Sequence, residues 1–140
     1  MIESLTRLHP TGMKRRAFLG STLAAGVGAA LANGTNVSGR RMTVGIIGHT
    51  GRGDYGHGID IGWLNVPEAR IVAVADAHEK GLQAALTRLK ADRGFSDYRE
   101  MLRTVRPELV AIAPRHIDQH HDMIMAAIGS GAKGIYMEKP

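Results

Sequence analysis

The sequence predicts an α/β protein whose parallel sheet is covered on both faces. Three observations carry this. Apolar runs of four to six residues recur at Met42–Ile47, Arg70–Ala75, Leu109–Ala113 and Gly134–Met137. Segments with helical periodicity separate them. The runs are continuously apolar rather than alternating, as strands buried on both faces are.

The elements follow in order. Met42–Ile47 is a strand that ends in glycines. Asp54–Leu64 is expected to be a helix, weakened by Gly56, Gly58 and Gly62 and ended by Pro67. Arg70–Ala75 is the second strand. Glu79–Ala91 is the clearest helix. Leu82, Ala85, Leu86 and Leu89 share one face, with Lys80, Arg88, Lys90 and Asp92 off it. A short strand is expected near Gly94–Phe95, then a helix over Asp97–Arg103 that Asp97 can cap. Leu109–Ala113 is a strand stopped by Pro114. Asp118–Ser130 is a helix with Met123, Ile124, Ala127 and Ile128 on its apolar side and Gly131 as its C-cap. Gly134–Met137 is the last strand. Crossovers between the strands should be right-handed.

With 140 residues the chain is long enough for one core. Its net charge of +5 is uneven. Residues 1–32 carry four basic side chains against Glu3, and the remainder is nearly balanced. No basic stripe interleaved with aromatics is present, so nucleic acid is not an expected partner. The chain has no cysteine, which excludes disulfides, thiolate metal sites and a cysteine nucleophile.

Residues 1–32 read as a signal peptide. Lys14-Arg15-Arg16 precedes an uncharged run from Ala17 to Ala32 that ends Ala30-Leu31-Ala32, a cleavage pattern. Sixteen residues at helical rise reach about 24 Å, short of the ~30 Å bilayer core. Arg15 and Arg16 followed by Phe18 and Leu19 resemble the twin-arginine class. This implies the twin-arginine export machinery as a partner and a periplasmic or exported location. A cytoplasmic location follows if the signal is not used. Met13 is a credible start. Residues 33–40, polar and rich in Gly, Ser and Asn, read as a linker, and residues 41–140 as the folded domain.

The chemistry concentrates after the first strand. Gly48-His49-Thr50-Gly51-Arg52-Gly53 matches G-x-G-x-x-G except that Thr50 replaces the second glycine. Such a turn, placed before a helix N-terminus, brings backbone N–H groups to a pyrophosphate. The Thr50 hydroxyl and Arg52 can add contacts. The alternative is a turn that only packs strand against helix. Asp76 ends the second strand, 23 residues after Gly53. An acidic residue there accepts from adenosine ribose hydroxyls and favours NAD over NADP, although His78 and Lys80 can offset a 2′-phosphate. The alternative is an aspartate that caps the following helix.

Taken together, VGIIGHTGRG, VADAHEKG, FSDYREML, the APRH segment and YMEKP resemble the N-terminal domain of the glucose–fructose oxidoreductase / inositol dehydrogenase / rhizopine-catabolism (Gfo/Idh/MocA) family. The resemblance covers Arg41–Pro140. It implies a Rossmann-type doubly wound sheet, and hydride transfer between NAD (NADP as the alternative) and a sugar or polyol hydroxyl carbon. It assigns Gly48, His49, Thr50, Gly51, Arg52 and Gly53 to the phosphate turn and Asp76 to the ribose. Ala113, Pro114 and Arg115 go to the loop on the nicotinamide side. Glu138, Lys139 and Pro140 form the E-K-P element, with Lys139 as the catalytic residue beside the reacting hydroxyl. Where the family has a histidine after its G-K pair, this chain has Gly134.

Members of the family continue for roughly 200 further residues that supply a substrate domain. The expectation is therefore an incomplete Rossmann unit that binds dinucleotide without turnover. A carbohydrate-like substrate, and a homo-oligomer, belong to a form with a C-terminal domain. The alternative is a non-catalytic nucleotide-binding module or a gene fragment. No metal site is expected. His116 and His120 stand four apart, but no glutamate of an H-E-x-x-H motif accompanies them.

Overall fold

The computed structural model describes residues 39–139. Residues 1–32, read above as a signal peptide, residues 33–38 of the expected linker, and Pro140 lie outside the described residues.

Five strands form one sheet: β1 (Met42–Ile47), β2 (Ala69–Ala75), β3 (Arg93–Phe95), β4 (Leu109–Ile112) and β5 (Gly134–Met137). Their spatial order is β3-β2-β1-β4-β5 and every pairing is parallel. The order reverses between β1 and β4, so the chain crosses from one half of the sheet to the other at that point. This is the doubly wound, Rossmann-type arrangement expected from the sequence.

Alternation within the strands feeds two cores. Val44, Ile46, Val74 and Ala111 face one side, where α1 (Glu79–Leu89) packs through Leu82, Ala85 and Leu89. Ile47, Ala73, Val110 and Ile112 face the other. There they meet α2 (Tyr98–Val105) through Met101 and Leu102, and α3 (His120–Gly129) through Met123 and Ala127. Asp97 caps α2 by accepting the Arg99 N–H at 2.8 Å, as expected. α1 ends two residues before Ala91 because Lys90 adopts a left-handed conformation. α3 begins at His120, after a 3-10 turn over Ile117–Gln119. Ile128, expected on its apolar side, is exposed because that flank of α3 lies away from the sheet.

One expected element is absent. Asp54–Leu64 does not form an α-helix. The chain runs through turns from Thr50 to Asp60, and only Ile61–Asn65 closes into a 3-10 helix. Gly51, Gly53, Asp54, Gly56 and Gly58 all have positive φ, which no right-handed helix accommodates.

Candidate functional site

The carboxyl ends of β1, β2 and β4 converge on the long glycine-rich turn over residues 48–58. Because no α-helix follows that turn, the helix dipole expected at the phosphate position is missing. The turn uses most of its own N–H groups internally: that of Gly51 donates to Asp54 Oδ1 at 2.9 Å, and those of Arg52 and Asp54 to the His49 carbonyl at 3.0 and 2.9 Å. Gly51 presents an open face, since a side chain added there would have no atom within 4 Å. Gly53 is enclosed. A Cβ on it would lie 2.6 Å from the Arg115 nitrogen and 2.8 Å from the His116 nitrogen, and its carbonyl accepts the Arg115 N–H at 3.1 Å.

Three anchors hold this turn in place of a helix. The first is Asp76, which is only 1% exposed. Its Oδ1 accepts the His78 N–H at 2.9 Å, and the Thr50 N–H is shared between both carboxylate oxygens at 3.1 Å. Its Oδ2 also accepts the Thr50 hydroxyl at 2.6 Å and the Tyr55 hydroxyl at 2.9 Å. Burial, followed by the charge of Asp76, holds the Tyr55 phenol well above its ordinary range.

The second anchor is the segment between β4 and α3. His49 Nδ1 donates to Gln119 Oε1 at 2.6 Å, and Arg52 pairs with Asp118. Within the same segment, the His120 ring donates from Nε2 to the Pro114 carbonyl at 2.6 Å. That histidine is buried and bonded to the backbone, so it does not form a metal pair with His116. Among the described residues no three histidines or carboxylates gather as a metal site would need.

The third anchor is Glu138, 3% exposed. It accepts the His57 N–H at 2.9 Å through Oε2, and His57 Nδ1 lies 3.2 Å from Oε1. The backbone N–H of His57 is the main cause that holds the Glu138 carboxyl below the usual carboxylate range; desolvation opposes it, and the His57 ring assists. The Lys139 N–H donates to the same carboxylate at 3.1 Å. Glu138 therefore ties Gly56-His57 of the turn to the end of β5, where Lys139 is exposed.

The structure brings the sequence-predicted residues to one edge of the sheet. Gly48, His49, Thr50, Gly51, Arg52 and Gly53 form the turn, and Asp76 lies beneath it. Ala113 and Pro114 are buried at the end of β4, and Arg115 is exposed beside Asp54, 3.8 Å away. Glu138 and Lys139 follow β5. A cleft of about 230 Å³ opens at this edge, lined by His49, Asp76, Ser96, Tyr98, Gln119 and Met123 among others. A wider one of about 600 Å³ lies on the other side of Thr50, against His78, Lys80, Gly81 and Arg88. The sequence reading missed Tyr55 and Gln119. Tyr55 fell inside the segment read as a helix. Gln119 carries no motif and is brought to His49 only by the crossover from β4 to α3.

The model of the family described as "Oxidoreductase family, NAD-binding Rossmann fold" (GFO_IDH_MocA) matches residues 42–140. An NAD binding oxidoreductase from Klebsiella pneumoniae is similar at 28% identity and TM-score 0.52, covering 71% of this chain and 27% of that one. Two others share the fold. A probable dehydrogenase from Thermotoga maritima is 20% identical with TM-score 0.60, covering 71% of this chain and 28% of that one. Scyllo-inositol dehydrogenase from Lactobacillus casei, solved with NAD(H) and scyllo-inositol, is 21% identical with TM-score 0.59, covering 72% of this chain and 28% of that one. The chain thus spans under a third of the length of these relatives. No curated protein sequence matches it.

Proposed function

The chain belongs to the Gfo/Idh/MocA oxidoreductase family through an NAD-binding Rossmann fold, and from that premise we propose that residues 42–140 bind NAD and supply the nucleotide half of a dehydrogenase acting on a sugar or polyol hydroxyl. The observation that carries this reading is the glycine turn at the point where strand order reverses, the position at which doubly wound sheets take their ligands. The residues present fit a dinucleotide. The open space at Gly51 leaves room for close approach of a pyrophosphate, and Arg52 and Arg115, exposed beside the turn and paired with Asp118 and Asp54, can turn toward its charge.

In this reading the adenosine ribose goes to Asp76 and the adenine to the cleft beside Ser96 and Tyr98. The nicotinamide side goes to Ala113, Pro114 and Arg115. Bound NAD supplies a hydride acceptor. Lys139 Nζ hydrogen-bonds the reacting hydroxyl oxygen and polarises it, while Glu138 fixes the Lys139 backbone through its N–H. Neighbours with bound NAD(H) and a polyol support the substrate class by likeness of fold. NADP is the weaker ligand in this reading, because Asp76 places a negative charge where a 2′-phosphate would sit.

Calorimetric titration of the purified 140-residue chain with NAD and NADP tests the reading. NAD should bind more tightly. Absence of binding by both nucleotides, in protein with native circular dichroism, would sink it.

A further inference from the structure

The Asp76 carboxylate has no acceptor capacity to spare. An ionised carboxylate offers about four lone-pair sites. Here those sites meet the Thr50 N–H shared between both oxygens, the His78 N–H, the Thr50 hydroxyl and the Tyr55 hydroxyl. Two of the donors are side-chain hydroxyls, Thr50 Oγ1 and the Tyr55 phenol. A ribose presents the same chemistry as a vicinal pair of hydroxyls. The carboxylate also lies at the wall between two clefts. Asp76 lines the smaller one and Thr50 and Tyr55 line the larger, so the hydroxyl contacts join the lining of one cleft to that of the other.

We propose that Thr50 and Tyr55 form a hydroxyl latch on Asp76, which adenosine ribose opens by replacing their hydroxyls with its own. This rests on the assignment of Asp76 to the ribose and deepens it: Thr50 and Tyr55 become residues that set nucleotide affinity by competing for the carboxylate. The backbone donors from Thr50 and His78 stay in place through the exchange and keep the carboxylate oriented. Thr50 is built for the role. It stands where the glycine fingerprint has its second glycine, and its side chain fills the space that Gly81 leaves beside the start of α1. A Cβ on Gly81 would overlap Thr50 and approach Asp76 Oδ2 to 2.9 Å. Tyr55 is held by the Arg88 guanidinium, which lies 4.8 Å above its ring centroid.

The latch makes a prediction opposite to that of a structural contact. Removing a hydroxyl that competes with the ligand tightens binding, whereas removing one that merely builds the site weakens it. Tyr55→Phe and Thr50→Val delete one hydroxyl each and keep the side-chain shape. In the full chain, calorimetry should show NAD binding tightened by about three- to tenfold in each variant. An NAD analogue whose adenosine ribose lacks the 2′-hydroxyl should gain less, because it has one fewer hydroxyl to place on the carboxylate. Unchanged or weaker NAD binding in both variants overturns the latch. So does an equal gain for NAD and the analogue, and so does loss of folding in both variants, which makes the hydroxyls structural. If one variant fails to fold, the other decides. Wild-type NAD binding is measured in the same series, so failure of the nucleotide assignment itself is seen separately.

Discussion

The carboxylate of Glu138 receives the backbone N–H of His57 at 2.9 Å, joining residues 81 positions apart in the chain. One end of the glycine turn is thereby fixed to the strand end that carries Lys139. A buried carboxylate that accepts backbone N–H bonds is stabilised in its charged form, and the Glu138 carboxyl is accordingly held below its ordinary range.

That shift fixes the sign of a pH dependence. A carboxyl whose pKa is lower in the folded than in the unfolded state contributes stability above its unfolded value, about 4.3 for glutamate. The contribution is lost as pH falls through the folded-state pKa, below that value. Glu138→Gln should therefore lower the melting temperature at pH 7 and flatten its fall between about pH 5 and pH 3. Thermal melts across that range check it. A variant whose acid profile parallels the wild type would remove Glu138 from the account.

Gly53 and Gly51 share a positive φ, of 91° and 80°, yet they should respond differently to alanine. At Gly51 the only cost is the left-handed conformation, about 1 kcal/mol, because the space is open. At Gly53 the new Cβ also meets backbone nitrogen of Arg115 and His116, which cannot swing aside as a flexible side chain can. Gly53→Ala should cost about 3 kcal/mol and abolish nucleotide binding. Denaturant melts of the two variants measure the difference. Equal costs would mean that the turn does not pack against the β4–α3 segment as described.

Gly81 and Thr50 should be energetically coupled. Gly81→Ala improves helix propensity by about 1 kcal/mol but overlaps the Thr50 side chain. Overpacking of this kind costs about 1–3 kcal/mol, so the single variant should be neutral to destabilised. Thr50→Gly alone loses a hydrogen bond to a charged group, about 1.5–3 kcal/mol, and removes the Cβ and hydroxyl that a side chain at residue 81 would meet. In the double variant both of those contacts are gone and the propensity gain remains. Its stability should exceed the sum of the two single effects by about 1 kcal/mol or more, read from a double-mutant cycle. Strict additivity would show that the two residues do not share this space.

Most of the sheet was legible because its signal is local. A continuous apolar run such as Arg70–Ala75 has few alternatives to a buried strand, and Leu82, Ala85 and Leu89 declare the buried face of α1 without tertiary information. The segment after β1 was misread for a physical reason. Asp54–Leu64 contains three glycines, Gly56, Gly58 and Gly62, and an interior glycine costs a helix about 1 kcal/mol relative to alanine. The strand–turn–helix template outweighed that cost in the reading, whereas in the structure nothing does. Asp76 was found by its place at the end of β2, but its saturation by Thr50 and Tyr55 was not. Those contacts depend on a loop whose course is set by positive φ values rather than by periodicity. The link from Glu138 to His57 was invisible for the same reason.

We propose that Arg15 and Arg16 direct export through the twin-arginine route, which carries folded proteins and so suits a chain that acquires its nucleotide before translocation. Changing both to lysine should keep a fused reporter in the cytoplasm. Unchanged export would remove the twin-arginine assignment, and cleavage elsewhere than after Ala32, read by N-terminal sequencing, would revise the boundary.

In the proposed function Lys139 separates nucleotide binding from chemistry. Its side chain is exposed, and among the described residues no carboxylate pairs with it, so its ammonium is available to a substrate. Its backbone N–H is held by Glu138. Hydride transfer needs the hydroxyl carbon held in near-attack geometry and a base for the hydroxyl proton. The described residues supply a polarising cation at that place but no wall that would press a substrate onto the nicotinamide. The 140-residue polypeptide should therefore bind NAD and show no sustained reduction of it with a panel of sugars and polyols. Lys139→Ala should leave NAD affinity within about twofold, because the proposed function puts the residue at the reacting hydroxyl rather than at the pyrophosphate. In a fusion that adds a substrate domain from a solved relative, turnover should appear with Lys139 and fall by about 10²–10⁴ without it, the range for loss of a group that assists proton transfer. Absorbance of the reduced cofactor follows both arms. Turnover by the 140-residue polypeptide alone would show that the edge of this sheet already holds a complete active site.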